Sequence, residues 1–324
     1  MTNLRWGLIG TGGIARAFAR DLTRASGHTV AAVGSRSMEK ALAFTEQYGG
    51  TPFGSYEELV ASDIDAVYVA TPHPMHAPNT ILALNNGKPV LCEKPFAVNA
   101  RESASMITAA HKSNLLLVEA MWSRFLPHYR KLRELVRQGE LGEIISIAAD
   151  HGQNLPLPKY YRLHAPELAG GALLDLGIYP ISFAYYLLGK PQSISAKAEF
   201  TPSGVDSQTS MIFRYDTGAH ANLTTTLLAK TPCTATVVGT KGTVWIDGDF
   251  YTPTSMRMKK IDGTVIEFAK NYEGHGLREQ ALEFASLLTT GAKESELMSH
   301  ADTQSIMETM DEIRAQIGLS YPGE

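Results

Sequence analysis

Residues 4–15 read LRWGLIGTGGIA, and this stretch decides the fold of the first part of the chain. The apolar run at residues 4–10 breaks into glycines, and a helical pattern with Ile14, Phe18 and Leu22 on one face follows it. Helical segments alternate with four further apolar runs, at residues 29–34, 66–70, 89–92 and 115–118. Continuous apolar strands separated by helices predict an α/β domain with a doubly wound parallel sheet, covered on both faces.

The second part of the chain has a different pattern. After one helical segment near residues 172–188, strand-like runs follow one another without helices, at 194–200, 207–215, 219–228, 234–238, 243–247 and 256–261. Two helical segments, near 277–289 and 301–317, close the chain. Consecutive strands predict an α+β domain with an open, mostly antiparallel sheet. The change of pattern predicts two domains, 1–122 and 123–324.

Composition excludes several classes of protein. The 324 residues include 29 Lys and Arg against 33 Asp and Glu, a net charge of −4, which argues against a nucleic-acid or anionic-membrane binder. With 44% hydrophobic residues the chain is not disordered. Its two cysteines exclude a disulfide scaffold and a cysteine zinc site, and the histidine spacing predicts no catalytic metal. No signal-like N-terminus and no run of about 18 apolar residues occurs, so we expect a cytoplasmic protein without a membrane span.

The glycine-rich turn fits the pattern G-x-G-x-x-A. Gly10 permits a tight turn, Gly12 lets the backbone approach a pyrophosphate, and Ala15 allows helix and strand to pack closely. The motif follows a strand and opens a helix, which is the context that a dinucleotide site requires. It therefore predicts cofactor contacts from Gly10, Thr11, Gly12, Gly13, Ile14 and Ala15. The alternative is a glycine turn without a ligand.

The end of the second strand bears on the choice of cofactor. An NAD site places Asp or Glu about 20 residues past the glycine loop, whereas Ser35 and Arg36 stand there in this chain. A hydroxyl and a guanidinium suit a 2′-phosphate, which favours NADP over NAD. The alternative is that Arg36 is solvated or stacks on adenine without selecting the cofactor.

Polar residues follow two later strands. Thr71-Pro72-His73-Pro74-Met75-His76 comes after the run at 66–70, and Glu93-Lys94-Pro95 comes after the run at 89–92. Ligands of doubly wound sheets bind outside the carboxyl ends of the strands, so His73, His76 and Lys94 are expected to face the cofactor crevice. A solvated lysine and structural histidines are the alternative.

These motifs resemble those of the Gfo/Idh/MocA family of oxidoreductases, whose members have a Rossmann domain followed by an open antiparallel sheet domain. The segments at 119–127 (EAMWSRFLP) and 170–179 (GGALLDLGIY) are similar to the branch of dimeric dihydrodiol dehydrogenases and NADP-dependent D-xylose dehydrogenases. The resemblance covers the whole chain. It implies cofactor contacts by Thr71, Pro72, His76, Glu93, Lys94, Trp122 and Arg124.

The resemblance also implies a catalytic role for Lys94. Asp175 matches an acidic position of the family, and Tyr179 stands where many relatives have His but the dihydrodiol branch has Tyr. The hypothesis is hydride transfer between a hydroxyl carbon and NADP, with Tyr179 and Lys94 as the acid/base pair and Asp175 orienting Lys94 or substrate. Because a free tyrosine has a pKa of about 10, Tyr179 needs a positive neighbour, and the roles of Tyr179 and Lys94 can be exchanged.

The expected substrate is a sugar, a cyclic polyol or a trans-dihydrodiol of an aromatic ring. Its binding residues are predicted to be His73, Lys94, Trp122, Phe125, Arg162, Asp175 and Tyr179. The alternative for Trp122 and Phe125 is packing in the core or at an interface, and for Asp175 and Tyr179 a capped helix start and a core tyrosine. Two alternatives come from the same fold: a nucleotide-binding regulator without turnover and a redox-neutral, NAD-dependent glycosidase. In the run at 207–215, Met211 and Phe213 lie on one face; a second apolar face would have to pack against another subunit, and the alternative is a single buried face. The family resemblance implies pairing through this sheet, so we expect a homodimer or higher oligomer.

Overall fold

The computed structural model describes residues 3–324. The chain forms two compact units. The first runs to Phe125 and includes Gly274–Gln304, and the second consists of Leu126–Glu273 and Ser305–Glu324. The sequence-based boundary after residue 122 lies three residues before the first crossing, and it assigns Gly274–Gln304 to the other domain.

The first unit contains the predicted parallel sheet; it has six strands where the apolar runs indicated five, and the additional strand is Thr51–Phe53. Its strands are β1 (Leu4–Ile9), β2 (His28–Gly34), β3 (Thr51–Phe53), β4 (Ala66–Val69), β5 (Val90–Glu93) and β6 (Leu117–Ala120). Their order in the sheet is β3-β2-β1-β4-β5-β6. Every residue of β4, β5 and β6 is buried, because helices cover both faces.

Five helices connect these strands: α1 (Gly13–Leu22), α2 (Met38–Tyr48), α3 (Tyr56–Ala61), α4 (His76–Asn85) and α5 (Ala100–Ser113). The face that α1 covers is built on aromatic rings. Phe18 of α1 stacks on Tyr68 of β4, with ring centroids 3.9 Å apart, and meets Trp6 of β1 edge-on at 5.4 Å. Such pairs contribute about 0.5–1.5 kcal/mol each beyond the apolar area that they bury, so they hold α1 firmly on the sheet.

The second unit is built on an eight-stranded sheet. Its elements up to residue 273 are α6 (Pro127–Arg137), β7 (Ile144–Gly152), α7 (Ile178–Leu188), β8 (Ser193–Phe200), β9 (Asp206–Arg214), β10 (His220–Thr226), β11 (Ala235–Gly239), β12 (Gly242–Ile246), β13 (Met256–Lys260) and β14 (Val265–Phe268). The strand order is β14-β13-β12-β11-β7-β10-β9-β8, and every neighbouring pair except β7 with β10 is antiparallel. The predicted open, mostly antiparallel sheet is thereby confirmed.

The helix at the centre of this unit is unusually apolar. The stretch Pro166–Leu188 is 23 residues long and contains an 18-residue window with a mean hydropathy of 1.3, so it qualifies by length and composition as a membrane span, which the sequence-based expectation excluded. However, 83% of that window is buried inside the fold. A helix that is apolar all round and enclosed by protein is a core helix, and α7 packs as one.

One face of the eight-stranded sheet is buried and the other is open. On β9, Met211 and Phe213 are buried, whereas Ser210, Ile212 and Arg214 between and beside them are exposed. The open face mixes polar side chains with occasional apolar ones such as Ile212, which is 50% exposed. Oligomerisation through this face stays a prediction.

Two helices complete the fold, α8 (Arg278–Thr290) and α9 (His300–Ile317). The segment Gly274–Gln304 joins the first unit through partners that are distant in sequence. The Phe284 ring of α8 lies 5.2 Å from that of Trp6, and the Leu117 amide of β6 donates to the Lys293 carbonyl at 3.1 Å. The local sequence pattern does not show that the chain returns to the first unit at Gly274–Gln304. The sequence-based boundary therefore assigned this segment to the second domain.

Candidate active site

The glycine turn between β1 and α1 is packed closely against β4. Gly10 has a φ of +109°, and a Cβ built on it would lie 2.6 Å from the Ala70 carbonyl oxygen. Its amide donates to the Gly34 carbonyl at 3.0 Å. A larger residue would force the ends of three adjacent strands apart, so both the backbone conformation and the available space require glycine here.

The start of α1 is open. Gly12, its N-cap residue, offers no side chain to cap the helix, and Gly12 and Gly13 are both exposed, with no atom within 4 Å of where a Cβ would lie. Thr11 and Ile14 beside them are partly buried, and Ala15 is fully buried against the sheet. A helix start with accessible N–H groups and a positive dipole end binds anions, so this turn fits a pyrophosphate.

Ser35 and Arg36 follow β2, next to the glycine turn, because Gly34 of β2 pairs with Ile9 of β1. Ser35 is buried and its hydroxyl accepts from the Ser37 amide at 3.3 Å, whereas Arg36 is exposed. Burial raises the pKa of Tyr56, and the neighbouring Arg36 guanidinium opposes that rise. Arg36 therefore lies beside Tyr56 as an accessible cation at the edge where β1 and β2 end.

His76 links the two polar segments predicted from the sequence. It is fully buried, with Nδ1 2.8 Å from the Pro95 carbonyl oxygen and Nε2 2.9 Å from the Thr71 carbonyl oxygen. The Lys94-Pro95 bond is cis. Both ring nitrogens of His76 thus lie against backbone carbonyl oxygens, and His76 connects the turn after β4 to the turn after β5. His73 is also buried, and its ring lies 5.8 Å from that of His76.

The buried Glu93 carboxylate stabilises the turn that carries Lys94. Glu93 is buried, accepts from the Tyr68 hydroxyl at 2.5 Å, and accepts from the Lys94 amide at 3.2 Å. Lys94 itself is partly exposed. Glu93 is thus buried in the turn while Lys94 is its accessible charged group, and the implied cofactor contact of Glu93 stays a prediction.

A second carboxylate is buried on the neighbouring strand. Glu119 of β6 accepts from the Thr303 hydroxyl at 2.9 Å, and burial raises its pKa to about 7. Arg124 opposes that rise and Glu93 adds to it. Sequence reasoning used Glu119 only as part of a family segment, since no local signal shows that a strand glutamate lies in the core.

Three predicted pocket residues, Trp122, Arg124 and Phe125, are buried in the first unit. The Arg124 guanidinium pairs with Asp302 at 2.6 Å and donates to the Leu297 carbonyl at 3.2 Å. The Trp122 ring lies 4.9 Å from that of His275. These contacts attach Gly274–Gln304 to the first unit, so the contacts of Arg124 are structural. The cofactor contacts that the resemblance implies for Trp122 and Arg124 stay predictions.

Asp175 and Tyr179 lie where a helix changes its winding. Residues Leu173–Gly177 form a π-helical turn that continues into α7. Asp175 forms an ion pair with Arg162 at 2.9 Å. Single π-turns inside helices are frequent at functional sites, and the extra residue alters which side chains share a face. Residues four apart in a regular α-helix share a face, whereas Asp175 lies in the widened π-helical turn and Tyr179 at the start of α7.

Tyr179 belongs to an aromatic cluster that the sequence did not indicate. Its ring lies 5.1 Å from His151 and 4.8 Å from Tyr251, which stack on each other at 4.0 Å. The Gln153 amide lies 3.0 Å from His151 Nε2 and 3.2 Å from the Tyr251 hydroxyl. Burial raises the pKa of Tyr251 well above its usual value. His151 was missed because β7 was not predicted, and Tyr251 because it lies in a loop.

Comparison with known proteins assigns the family. Residues 4–120 match the family model described as "Oxidoreductase family, NAD-binding Rossmann fold", and residues 129–245 match "GFO/IDH/MocA C-terminal domain". The chain belongs to the GFO/IDH/MocA family. The resemblance stated from the sequence motifs is confirmed, and with it an NAD-type dinucleotide as the cofactor of an oxidoreductase. The open start of α1 behind Gly10 fits that group.

Named relatives extend over the full chain. It is 37% identical to the trans-1,2-dihydrobenzene-1,2-diol dehydrogenase of Xenopus tropicalis, over 98% of this chain and 99% of the relative. It is 34% identical to the D-xylose 1-dehydrogenase (NADP(+)) of Hypocrea jecorina, over 98% and 93%.

Solved structures with the same fold include a 3-ketoreductase from Actinomadura kijaniata in complex with NADP and TDP-benzene. Its TM-score is 0.86 at 28% identity, covering 98% of each chain. The aldose-aldose oxidoreductase of Caulobacter crescentus, complexed with glycerol, gives a TM-score of 0.87 at 26% identity, covering 97% of each chain.

The raised pKa of Glu119 makes a prediction about stability. An unfolded glutamate ionises near pH 4.5 and the buried Glu119 near pH 7, so the free energy of unfolding decreases as pH rises through that window. Glu119→Gln should remove this contribution, raising the free energy of unfolding by up to about 3 kcal/mol at pH 8 and little at pH 4. Urea unfolding between pH 4 and 8 measures it.

The matched control is Glu134→Gln on α6, where the carboxylate pairs with Lys131 at the surface. Because Lys131 holds the pKa of the Glu134 carboxyl below its usual value, this carboxylate stays ionised between pH 5 and 8, and the variant should leave the pH dependence in that window unchanged. A Glu119→Gln protein whose stability follows the wild-type pH curve would show that Glu119 ionises normally in the folded state.

Proposed function

We propose that this chain is an NADP-dependent dehydrogenase that transfers a hydride between a CH–OH carbon of its substrate and the nicotinamide. The proposal rests on the start of α1 after Gly10, where the helix has no side-chain cap and Gly12 and Gly13 leave space for a ligand. The chain is also similar over its full length to named dehydrogenases. The substrate class is a sugar, a cyclic polyol or a trans-dihydrodiol. Relatives named for D-xylose and for trans-dihydrobenzenediol support both chemistries.

The preference for NADP rests on the end of β2. Arg36 is an exposed guanidinium beside the glycine turn, and Ser35 precedes it. Gly12 and Gly13 would hold the pyrophosphate with their amides, and Arg36 would pair with the 2′-phosphate through charge-assisted hydrogen bonds. A relative named as an NADP(+) enzyme and a neighbour solved with NADP support this choice.

The chemistry divides between the cofactor and the protein. The nicotinamide supplies hydride acceptance and donation when it is bound. Tyr179 takes the proton of the substrate hydroxyl, and Lys94 supplies a positive charge and a hydrogen bond to the reacting oxygen. Asp175, held by Arg162, orients the substrate hydroxyls or the lysine. Positioned proton transfer of this kind contributes about 10²–10⁴-fold to the rate.

The remaining assignments concern substrate contacts and assembly. His73, Trp122 and Phe125 in the first unit and Arg162 in the second are proposed to take part in substrate binding. A homodimer or higher oligomer is proposed to form through the solvent-exposed face of the eight-stranded sheet. This face includes Ile212 of β9 between polar side chains.

The experiment that tests the function is formation of reduced cofactor. NADP and NAD are assayed in parallel against aldopentoses, aldohexoses, inositols and a trans-dihydrodiol. We expect turnover with NADP and at least one of these alcohols. Tight cofactor binding without reduction by any of them would contradict the proposal and favour a regulator or a redox-neutral enzyme.

Arg36→Ala should discriminate between the two cofactors. Losing one charge-assisted contact costs about 1.5–3 kcal/mol, so KM for NADP should rise about 10–100-fold, while KM for NAD stays within about twofold. Steady-state kinetics with both cofactors measures this. Arg101→Ala, which removes an exposed arginine of α5, is the control. Equal losses with NADP and NAD would contradict the assignment of Arg36 to the 2′-phosphate.

Tyr179→Phe should lower kcat by about 10²–10⁴-fold, because it deletes only the hydroxyl that exchanges the proton. The dissociation constant for NADP should stay within about twofold. Stopped-flow turnover and fluorescence titration of NADP measure the two quantities. Tyr161→Phe removes the exposed hydroxyl that bonds Glu167 in the same unit and should leave kcat unchanged. Wild-type kcat in Tyr179→Phe would transfer the acid/base role to Lys94.

A further inference from the structure

The helical segment that carries Asp175 and Tyr179 begins without a polar residue of its own. Residues 170–174 read GGALL, and Ala172, the N-cap residue of the π-helical turn, has no side chain able to accept from the first amides. An uncapped and buried helix start leaves N–H groups that need an acceptor. That acceptor comes from another strand, because the Leu173 amide donates to Asp206 Oδ2 at 2.8 Å across 33 residues of chain.

Asp206 is placed at this helix start by its position on the sheet. It is the first residue of β9 and is completely buried. The Thr209 hydroxyl, on the same strand, donates to the same Oδ2 atom at 2.7 Å. Burial raises the pKa of Asp206 to about 6, and its hydrogen bonds to Thr209 and to the backbone oppose the rise. A buried carboxylate is costly unless hydrogen bonds hold it, and here they come from Thr209 and from the Leu173 amide at the helix start.

Gly171 leaves the space that the Asp206 carboxylate occupies. Its φ is +110°, and a Cβ built on it would lie 2.2 Å from Asp206 Oδ1. The carboxylate therefore lies directly against the backbone of Gly171 as well as bonding the Leu173 amide. The electrostatic interaction is also favourable, because the positive end of the helix dipole lies next to the Asp206 carboxylate.

Neutral contacts hold the same segment from other sides. The Tyr321 hydroxyl donates to the Gly170 carbonyl at 2.6 Å, and the Gly171 amide donates to the Leu163 carbonyl at 2.8 Å. The Thr225 hydroxyl lies 3.3 Å from the Ala172 carbonyl oxygen. Among these contacts Asp206 alone brings a charge, and it alone bonds an amide at the first turn of the helix.

We propose that Asp206 is a positioning residue for the reaction: its carboxylate fixes the start of the helical segment and thereby aims Asp175 and Tyr179. Leu173, which it bonds, lies two residues before Asp175 and six before Tyr179. A displacement of about 1 Å at a reacting group is enough to lower a rate by about 100-fold. The proposal rests on the proposed function, in which Tyr179 and Asp175 touch the substrate.

The test is Asp206→Asn, which keeps the size of the side chain and removes its charge. We expect kcat to fall about 10–100-fold and the primary deuterium isotope effect on kcat to rise, because a misaimed Tyr179 slows the hydride and proton step. Affinity for NADP should stay within about twofold, since the glycine turn belongs to the other unit. Amide hydrogen exchange at residues 171–179 should be faster than in the wild type.

Two further variants separate positioning from folding. Thr209→Val removes one support of the carboxylate but leaves its bond to Leu173, so it should show the same changes at about 3–10-fold in kcat. Asp262→Asn, in an exposed hairpin where the carboxylate accepts from the Thr264 amide at 2.8 Å, should change none of them. A lower kcat that merely follows a smaller folded fraction, with an unchanged isotope effect, would overturn the proposal.

The outcome for Asp206 is distinguishable from the outcome for the proposed function. If the wild-type protein reduces no cofactor, the proposed function fails, and hydrogen exchange still decides whether Asp206 orders residues 171–179. If the wild type turns over while Asp206→Asn matches it in kcat, isotope effect and exchange, the positioning role fails and the function stands.

Discussion

The close approach of Gly10 to the Ala70 carbonyl is the constraint on which the site of the first unit depends. Because no Cβ intervenes, β2, β1 and β4 end side by side, and the residues that follow them share one edge of the sheet. Arg36 follows β2, Gly12 follows β1, and Lys94 follows β5 further along the same edge. Under the proposed function this order matches a dinucleotide, with its 2′-phosphate at Arg36, its pyrophosphate at Gly12 and its nicotinamide end toward Lys94.

Sequence predicted those parts of the fold that are encoded locally. The apolar runs of the parallel sheet and the glycine turn depend on neighbouring residues, so their pattern is readable. Strand β7 was missed because it lies at the centre of a mixed sheet and pairs only with β10 and β11, which come more than 60 residues later. The return of Gly274–Gln304 was missed for the same reason. The sequence pattern of a segment does not show which distant strand or unit it joins, although the partners β10 and β11 are themselves readable as strand runs.

The same limit applies to the residues that support the site. Asp206, His151 and Tyr251 have no recognisable motif, and each acquires its role through a partner that lies far away in the chain. By contrast, Lys94 and Tyr179 are predicted as site residues because the family resemblance points to them, and for Lys94 because it follows a strand of the parallel sheet. Residues proposed to face a ligand thus have a signal in the sequence, whereas Asp206, His151 and Tyr251 have none.

The aromatic cluster around Tyr179 constrains how this tyrosine can act. Burial raises the pKa of Tyr251 within the cluster, and the Tyr179 ring lies 4.8 Å from that of Tyr251. An effective base has a pKa near the working pH, so Tyr179 needs a positive charge close to its oxygen when the substrate is bound. Within its own unit Arg162 is already paired with Asp175. Under the proposed function the lysine of the Glu93-Lys94-Pro95 turn supplies this charge, and the buried contacts of His76 and Glu93 hold that turn in place.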